Sequence, residues 1–324
     1  MAIYYVDWDG GTDAANGGTT TGDPYLTLQY AIDDVVANHG KGSNGDVFKC
    51  IGTDIATAGL ILTGYAPDTT YPLALVSDGA TSFGTHDSVN NVRATVDGET
   101  NGVSWINQTA TDFVTIAGFL FLPRTDVSTR VISMDDNCSI IDCIFDYANV
   151  PQNMANSIIL LQGQSHVIGN KFINWIRSTS GNIDILYLGG GGYDIVAYNY
   201  FDIYNNQNFL ETRLIFFGSD GLAHNNVCRL RRKHGTPTGT NLVYFSRFSS
   251  TITLFNNEIY GWPSDGQNVG VHFTHTTSTG NGHNEAEMIN NHFENLDTAI
   301  YAPDYNWYPA TWGGNTYHNV GTVY

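Results

Sequence analysis

The chain has 324 residues, a formal net charge of −18 and only 14% charged side chains, against roughly 25% in an average soluble domain. A content of 42% hydrophobic and 13% aromatic residues can bury a core, which excludes a disordered chain, and no run approaches the ~18 apolar residues of a helical membrane span. The acidity excludes autonomous DNA or RNA binding, because neutralising phosphates needs a net basic surface.

Residues 1–36 begin with Ile3-Tyr4-Tyr5-Val6, which reads as a strand, followed by a Gly/Asn/Thr-rich loop from Asp9 to Gly22. The segment Met1 to Asp7 has no basic n-region, no long apolar h-region and no small-residue cleavage site, so a conventional signal peptide is not expected there. Asp23-Pro24 is a turn and helix-start signal, and Leu28, Ala31, Ile32, Val35 and Val36 fall on one helical face. Within residues 37–112, five stretches read as strands: Asp46 to Ile51, Leu60-Ile61-Leu62, Leu73 to Val76, Ala94-Thr95-Val96 and Val103-Ser104-Trp105-Ile106. No Pro/Ser linker or charge run divides the chain. The expected organisation is an N-terminal strand, loop and capping helix over 1–36 and one continuous domain over 37–324.

A repeat organises the remainder. Phe121, Phe145, Phe172, Phe201, Cys228, Ile259, Phe293 and Tyr317 recur as apolar anchors at intervals of 24, 27, 29, 27, 31, 34 and 24 residues. Two residues before the last six stands an Asn: Asn170, Asn199, Asn226, Asn257, Asn291 and Asn315. A second column of short β-rich runs precedes the anchors, beginning at Val131, Ile158, Ile185, Leu214, Leu242 and Val269. Each repeat therefore carries at least two short strands joined by Gly, Asn and Asp turns, with no helical period between them. A unit of this length cannot bury its apolar face alone, but stacking copies makes a continuous core. The geometry that fits is an all-β, single-stranded right-handed parallel β-helix, a solenoid in which each coil adds ~4.8 Å. The Asn column suits a tight left-handed bend and, in register, a ladder of amide hydrogen bonds. The short amphipathic helix is the expected cap of the open end.

Tyr4-Tyr5-Val6-Asp7, Gly11-Thr12-Asp13, Asn16-Gly17 and Asp23-Pro24-Tyr25-Leu26-Thr27-Leu28-Gln29-Tyr30-Ala31 resemble the opening motif of the pectate-lyase-like right-handed β-helix superfamily. The coil repeats extend that resemblance over essentially the whole chain. The superfamily includes polysaccharide lyases, glycosidases and phage virion proteins such as tailspikes, so the resemblance implies either a glycan-acting enzyme or a virion component.

The family's catalytic signatures are missing. Asp135-Asp136 has no His and Lys partners at polygalacturonase spacing, and the Trp-x-Asp-His and Arg-x-Pro-x-x-Arg segments of pectate lyases do not occur. Weak catalytic candidates are Arg213, Arg247, His272 and Asp220, with Glu211 and His275 in nearby register. Arg229, Arg231, Arg232, Lys233 and His234 form a basic cluster fit to dock an acidic partner or a polyanionic glycan. Tyr301, Tyr305, Trp307, Tyr308 and Trp312 suit sugar stacking or a protein interface. His272, His275, His283 and His292 with Glu285, Glu287 and Glu294 lack recognisable metal-ligand spacing, and no metal or other cofactor is expected beyond a structural cation such as calcium at Asp7, Asp9 and Asp13. Cys50, Cys138, Cys143 and Cys228 read as reduced, buried thiols.

The leading expectation is a bacteriophage virion structural or adhesive protein, a surface appendage or decoration protein on the virion surface. It would assemble as a homotrimer with itself, contact other virion proteins and bind cell-surface polysaccharide, without membrane insertion. The alternative is a polysaccharide-degrading lyase or glycosidase of tailspike depolymerase type, secreted by a route without a conventional signal peptide.

Overall fold

The structure is a computed structural model that describes residues 1–55, 59–98, 105–107, 111–122, 130–148, 157–176, 183–205, 212–218, 220–232, 242–247, 251–262, 268–273, 285–301 and 308–323. The described strands form three parallel sheets, of eleven, ten and eight strands. Sheet one runs from Ala2–Asp7 to Tyr308–Gly313, sheet two from Thr53–Ile55 to Thr316–His318, and sheet three from Ile106–Asn107 to Thr298–Tyr301. The chain visits the three in turn, and each strand pairs with its equivalent one turn away. Ser139–Ile141 pairs with His166–Ile168, Ile144–Asp146 with Lys171–Ile176, and Ile159–Gln162 with Ile183–Gly189. The fold is a right-handed parallel β-helix in which the eight strands of sheet three mark eight three-stranded turns.

The anchor column lies in sheet two and the upstream runs in sheet three. Phe145, Phe172, Phe201, Cys228, Ile259, Phe293 and Tyr317 stand in unbroken register. The rings of Phe121, Phe145, Phe172 and Phe201 stack face on face at 4.7, 4.9 and 4.7 Å, each pair adding about 0.5–1.5 kcal/mol beyond its burial. Sheet one is the strand that the two-column repeat did not separate. Its inward residues, among them Ile140, Val167, Val196, Ala223, Leu254 and Met288, lie five positions before each anchor. Strands as short as Ser139–Ile141 show too little alternation to stand out alone.

The Asn residues form the expected ladder. The backbone N–H and the Nδ2 of Asn170 both donate to Asn199 Oδ1, and its Nδ2 also donates to the Ile140 carbonyl. The same pattern repeats at Asn199, Asn226, Asn257 and Asn291. Cys143 occupies the same position one turn before Asn170 and donates its N–H to Asn170 Oδ1. The left-handed residue of the corner is not the ladder Asn but the one before it. Gly169, Tyr198, Asn225, Asn256, Asn290 and Gly314 all have φ between 54° and 70°, with Tyr198 at 59°. The bend thus falls on the Gly, Asn or Asp that precedes the ladder position, where a left-handed backbone meets the smallest steric cost.

At the N-terminal end, Ala2–Asp7 pairs with Asp46–Ile51 as the end strand of sheet one. The helix spans Leu28–Asp34, later than Asp23-Pro24 alone would place it, because Thr27 is the N-cap: its hydroxyl accepts the Tyr30 N–H. Leu28, Ala31, Ile32 and Val35 are buried against the core, but Val36 is 38% exposed. The correction at Val36 has a geometric cause. The helix widens into a π-helical turn over Val35–His39, with the Gly40 N–H donating to the Val35 carbonyl, so the 3.6-residue face ends at Val35. Of the early segments, Asp46–Ile51, Leu73–Ser77 and Thr95–Asp97 are strands, whereas Leu60 makes only a single bridge, to Ile106, and Val103 and Ser104 lie outside the described residues. All four cysteines are buried and free of disulfides. Burial pushes the Cys138 and Cys143 thiols up to about 12, which keeps them protonated and unreactive.

Candidate functional site

In sheet two the anchors point inward, so the residues immediately before and after each anchor point outward. Tyr200, Val227, Glu258 and His292 make one outward column, and Asp202, Arg229, Tyr260 and Glu294 make the other. Successive residues in a column are one turn, about 4.8 Å, apart. The face therefore sets a cation, two tyrosines and three carboxylates on a rigid grid.

Arg229 lies at the centre. Its guanidinium sits 5.7 Å from the Tyr200 ring centroid on one side and 5.3 Å from the Tyr260 ring centroid on the other. Nη1 donates to Tyr200 Oη at 3.3 Å. Two cation–π contacts and one hydrogen bond hold the guanidinium between the two rings. Tyr260 Oη donates to Glu258 Oε2 at 2.8 Å. Burial, then that bond and the Glu258 charge, push the tyrosine up to about 12, so it stays a protonated donor. Tyr260 also makes an edge contact with His292 at 5.7 Å.

One turn on, Glu294 is held by three groups. His292 Nε2 lies 3.2 Å from Oε2, Asn295 Nδ2 donates to Oε1 at 3.1 Å, and His318 Nδ1 is 3.7 Å from Oε1. The His292 hydrogen bond foremost holds the Glu294 carboxyl below the usual glutamate range. That is the opposite of what a proton-donating carboxylic acid needs. The face is organised to present fixed donors, acceptors and ring faces.

The catalytic candidates from sequence do not converge. Arg213 is on sheet three, its Nε and Nη2 paired with the buried Asp184 (3.0 Å for Nη2 to Oδ2) and its guanidinium 4.5 Å from the Phe216 ring. It braces two adjacent turns. Arg247 is in register with Phe217, four residues along the strand from the Arg213–Val243 pair, roughly 13 Å away. His272 is two turns from Phe216, its ring 5.2 Å from the Tyr301 ring. Asp220 is on sheet one, where its Oδ1 accepts the Thr251 N–H at 2.6 Å. Glu211 and His275 lie outside the described residues.

Of the basic cluster, Arg229 belongs to the face above. Arg231 and Arg232 lie in the strand Val227–Arg232, and Lys233 and His234 lie outside the described residues. Tyr301 and Trp312 are exposed on different sheets, Tyr308 opens the strand Tyr308–Gly313, and Tyr305 and Trp307 lie outside the described residues. Trp312 continues the inward column of sheet one after Met288.

No group of three or more His, Cys, Asp or Glu side chains is gathered for a metal ion among the described residues. His272, Glu287 and Glu294 stand on sheets three, one and two, and His275 and His283 lie outside the described residues. Asp7 Oδ1 accepts the Asp9 and Gly10 N–H groups, and Asp13 accepts the Leu26 and Thr27 N–H groups, so both carboxylates serve loop turns.

Tyr200, Asp202, Glu258 and Tyr260 were not singled out from sequence, and Glu294 was named only within the scattered His/Glu set. The signal was present: each flanks an anchor by one position and so had to face outward.

No protein-family model matches the chain, and no curated protein sequence matches it. Among solved structures, it is similar to a pectate lyase, Pel9A, with a TM-score of 0.57 and 13% identity over 100% of this chain and 77% of that one. It is also similar to the GH136 lacto-N-biosidase of Eubacterium ramulus, with a TM-score of 0.53 and 11% identity over 99% of this chain and 68% of that one. A tailspike of E. coli bacteriophage HK620 aligns at a TM-score of 0.41 and 12% identity, over 90% of this chain and 62% of that one. At these identities the shared property is the parallel β-helix.

Proposed function

We propose that this β-helix is an adhesive surface protein of a bacteriophage virion that holds a polysaccharide along the outer face of sheet two. The observation that carries the binding reading is Arg229 clasped between Tyr200 and Tyr260 and bordered by Asp202 and Glu258, with Glu294 two turns on. Sugar rings are recognised by aromatic faces against their C–H surfaces and by fixed charged donors and acceptors against their hydroxyls. The resemblance of residues 4–31 to the opening of β-helix proteins that include virion components supports the location.

The test is calorimetric titration of capsular polysaccharides, neutral and uronate-containing. Binding is expected, and Tyr200→Ala, Arg229→Ala and Tyr260→Ala are each expected to weaken it at least ~10-fold, about 1.4 kcal/mol. A panel without binding, or binding indifferent to all three changes, removes the reading. Absence of the protein from purified particles, assayed by mass spectrometry, removes the virion assignment alone.

The second reading is a polysaccharide lyase or glycosidase working on the same face. It is favoured by Arg229, a cation able to neutralise a uronate, one turn from Tyr260 and two from Glu294. Unsaturated product absorbing in the ultraviolet, or new reducing ends, distinguishes it from binding.

A further inference from the structure

Two exposed aromatic side chains border the sheet-two face on opposite sides. Tyr198 stands at the corner between the strand Tyr193–Ala197 of sheet one and the strand Tyr200–Asn205 of sheet two. It is 61% exposed, and its ring stands edge-on to that of His224 at 5.2 Å. Its backbone is left-handed, with φ at 59°, whereas Asp142, Gly169, Asn225, Asn256, Asn290 and Gly314 hold the same corner in other turns. A bulky aromatic there carries a conformational cost that Asn or Gly avoids. Strain that orients a side chain into solvent points to a site rather than to packing. On the far side, Trp262 follows Tyr260 by two residues. Gly261 between them is buried, and a Cβ on it would come within 2.1 Å of the Asn295 carbonyl oxygen. That leaves Trp262 on the outward side, 48% exposed.

We propose that Tyr198 and Trp262 are the two end subsites of the glycan face, so that a chain of several sugars crosses sheet two obliquely, from the corner at Tyr198 over Tyr200, Arg229 and Tyr260 to Trp262. The inference rests on the glycan-binding reading and adds the direction of the ligand and its length. The register supports the path. Tyr200 lies one turn before Arg229 and two before Tyr260, and it stands one outward column nearer the corner than either. Asp202 and Glu258 then fall on opposite sides of the line from Tyr200 to Tyr260, where both can accept from sugar hydroxyls. With about 3.3 Å per residue along a strand and about 4.8 Å between turns, the track is on the order of 20 Å long. One sugar ring covers one aromatic face, so four aromatic rings in line fit an oligosaccharide rather than a single sugar. Joining these contacts through one chain makes each further contact intramolecular, so affinity grows with chain length until the track is filled.

Calorimetric titration of the full chain tests it, with size-fractionated fragments, from disaccharide upward, of the capsular polysaccharide that binds in the titration above. Affinity is expected to rise with fragment length and then level off. Trp262→Ala and Tyr198→Asn are each expected to weaken the longest fragments about 5-fold, the size of one aromatic contact, and to leave the shortest binding fragment unchanged. Arg229→Ala is expected to weaken fragments of every length. Tyr198→Asn installs the residue that Asn225, Asn256 and Asn290 supply in the following turns, so its thermal midpoint is expected at or above that of the wild type while binding falls. Tyr193→Ala, which removes an aromatic 47% exposed at the far end of its sheet-one strand, is expected to keep full affinity. Affinity independent of fragment length, full affinity for the longest fragments in either end variant, a lowered midpoint in Tyr198→Asn, or weakened binding in Tyr193→Ala each overturns the proposal. If Arg229→Ala still weakens binding in those cases, the glycan face itself stands. A wild-type chain that binds no glycan overturns both.

Discussion

The side-chain amide of Asn226 makes four hydrogen bonds inside the helix. Nδ2 donates to the Val196 carbonyl and to Asn257 Oδ1, and Oδ1 accepts from the N–H and Nδ2 of Asn199. Asn226 is fully buried, so none of the groups it serves has water as a substitute. Asn226→Ala orphans a buried carbonyl and a buried N–H together. The expected loss is about 2–4 kcal/mol, from the 1–3 kcal/mol cost of each unsatisfied group. Asn315→Ala, at the part-buried last position, is expected to cost less, since Asn315 itself borders solvent and water can take the place of its side chain. Equilibrium denaturation in urea checks both, and equal losses would remove the burial argument. This column was legible in the sequence because a single residue type recurred at one offset from an apolar anchor. The αL residue beside it was less legible, because Gly, Asp, Asn and even the 61%-exposed Tyr198 fill that position.

The N-terminal helix depends on a single buried carboxylate. Asp34, at the end of Leu28–Asp34, is only 5% exposed. It accepts from Tyr25 Oη at 2.6 Å, from the Asn16 N–H at 2.9 Å and from Asn38 Nδ2. Burial alone would raise its pKa, but these bonds, with His39 nearby, outweigh burial and hold it below the ordinary aspartate value of 3.8. A carboxyl depressed in the folded state contributes stability that is complete above its unfolded pKa and is lost as pH falls through the folded one. The wild-type chain should therefore melt at progressively lower temperature as pH falls below about 4. Asp34→Asn should lower stability at neutral pH by about 1–3 kcal/mol and remove that part of the acid dependence. Thermal melts followed by tyrosine and tryptophan near-ultraviolet dichroism from pH 7 to pH 2.5 make the comparison; parallel pH profiles for the two proteins would refute it. The helix itself was legible from Leu28, Ala31 and Ile32. Asp34 was not, because its partners lie 9 and 18 residues away in a loop without periodicity. The sheet-two face shows the same division at the level of strands. The anchors fixed which way Tyr200, Arg229 and Tyr260 point, but the contact between them depends on turns of 27 and 31 residues arriving in register.

Across the whole molecule, low charge and high Gly and Asn content follow from the stacking. A residue in any column faces its equivalent one turn away, so like charges would repel along a column, and corners need Gly or Asn. The stacked faces then divide the labour: sheet two concentrates charge and aromatic rings, while the outward column of sheet one from Ala117 to Phe255 holds Ile141, Ile168, Ala197 and His224. In a solenoid each turn touches only its neighbours, so damage should remain local. Phe172 tests this, standing between Phe145 and Phe201 in the ring stack at 4.9 and 4.7 Å. Phe172→Ala removes two stacking contacts and leaves a cavity, at a cost of about 3–5 kcal/mol. Hydrogen exchange should show lost protection in Lys171–Ile176 and the paired strands Ile144–Asp146 and Tyr200–Asn205. Protection in Ala2–Asp7 and Asp46–Ile51, several turns away, should remain native. Because Tyr200 and Asp202 flank Phe201, the variant should also bind glycan more weakly, although Phe172 itself is buried and cannot touch the ligand. Phe48→Ala, in the turn paired with Ala2–Asp7, leaves a comparable cavity far from that face and should leave glycan affinity intact. Protection lost uniformly along the chain, or equal loss of binding in both variants, would mean that the helix opens as one unit rather than turn by turn.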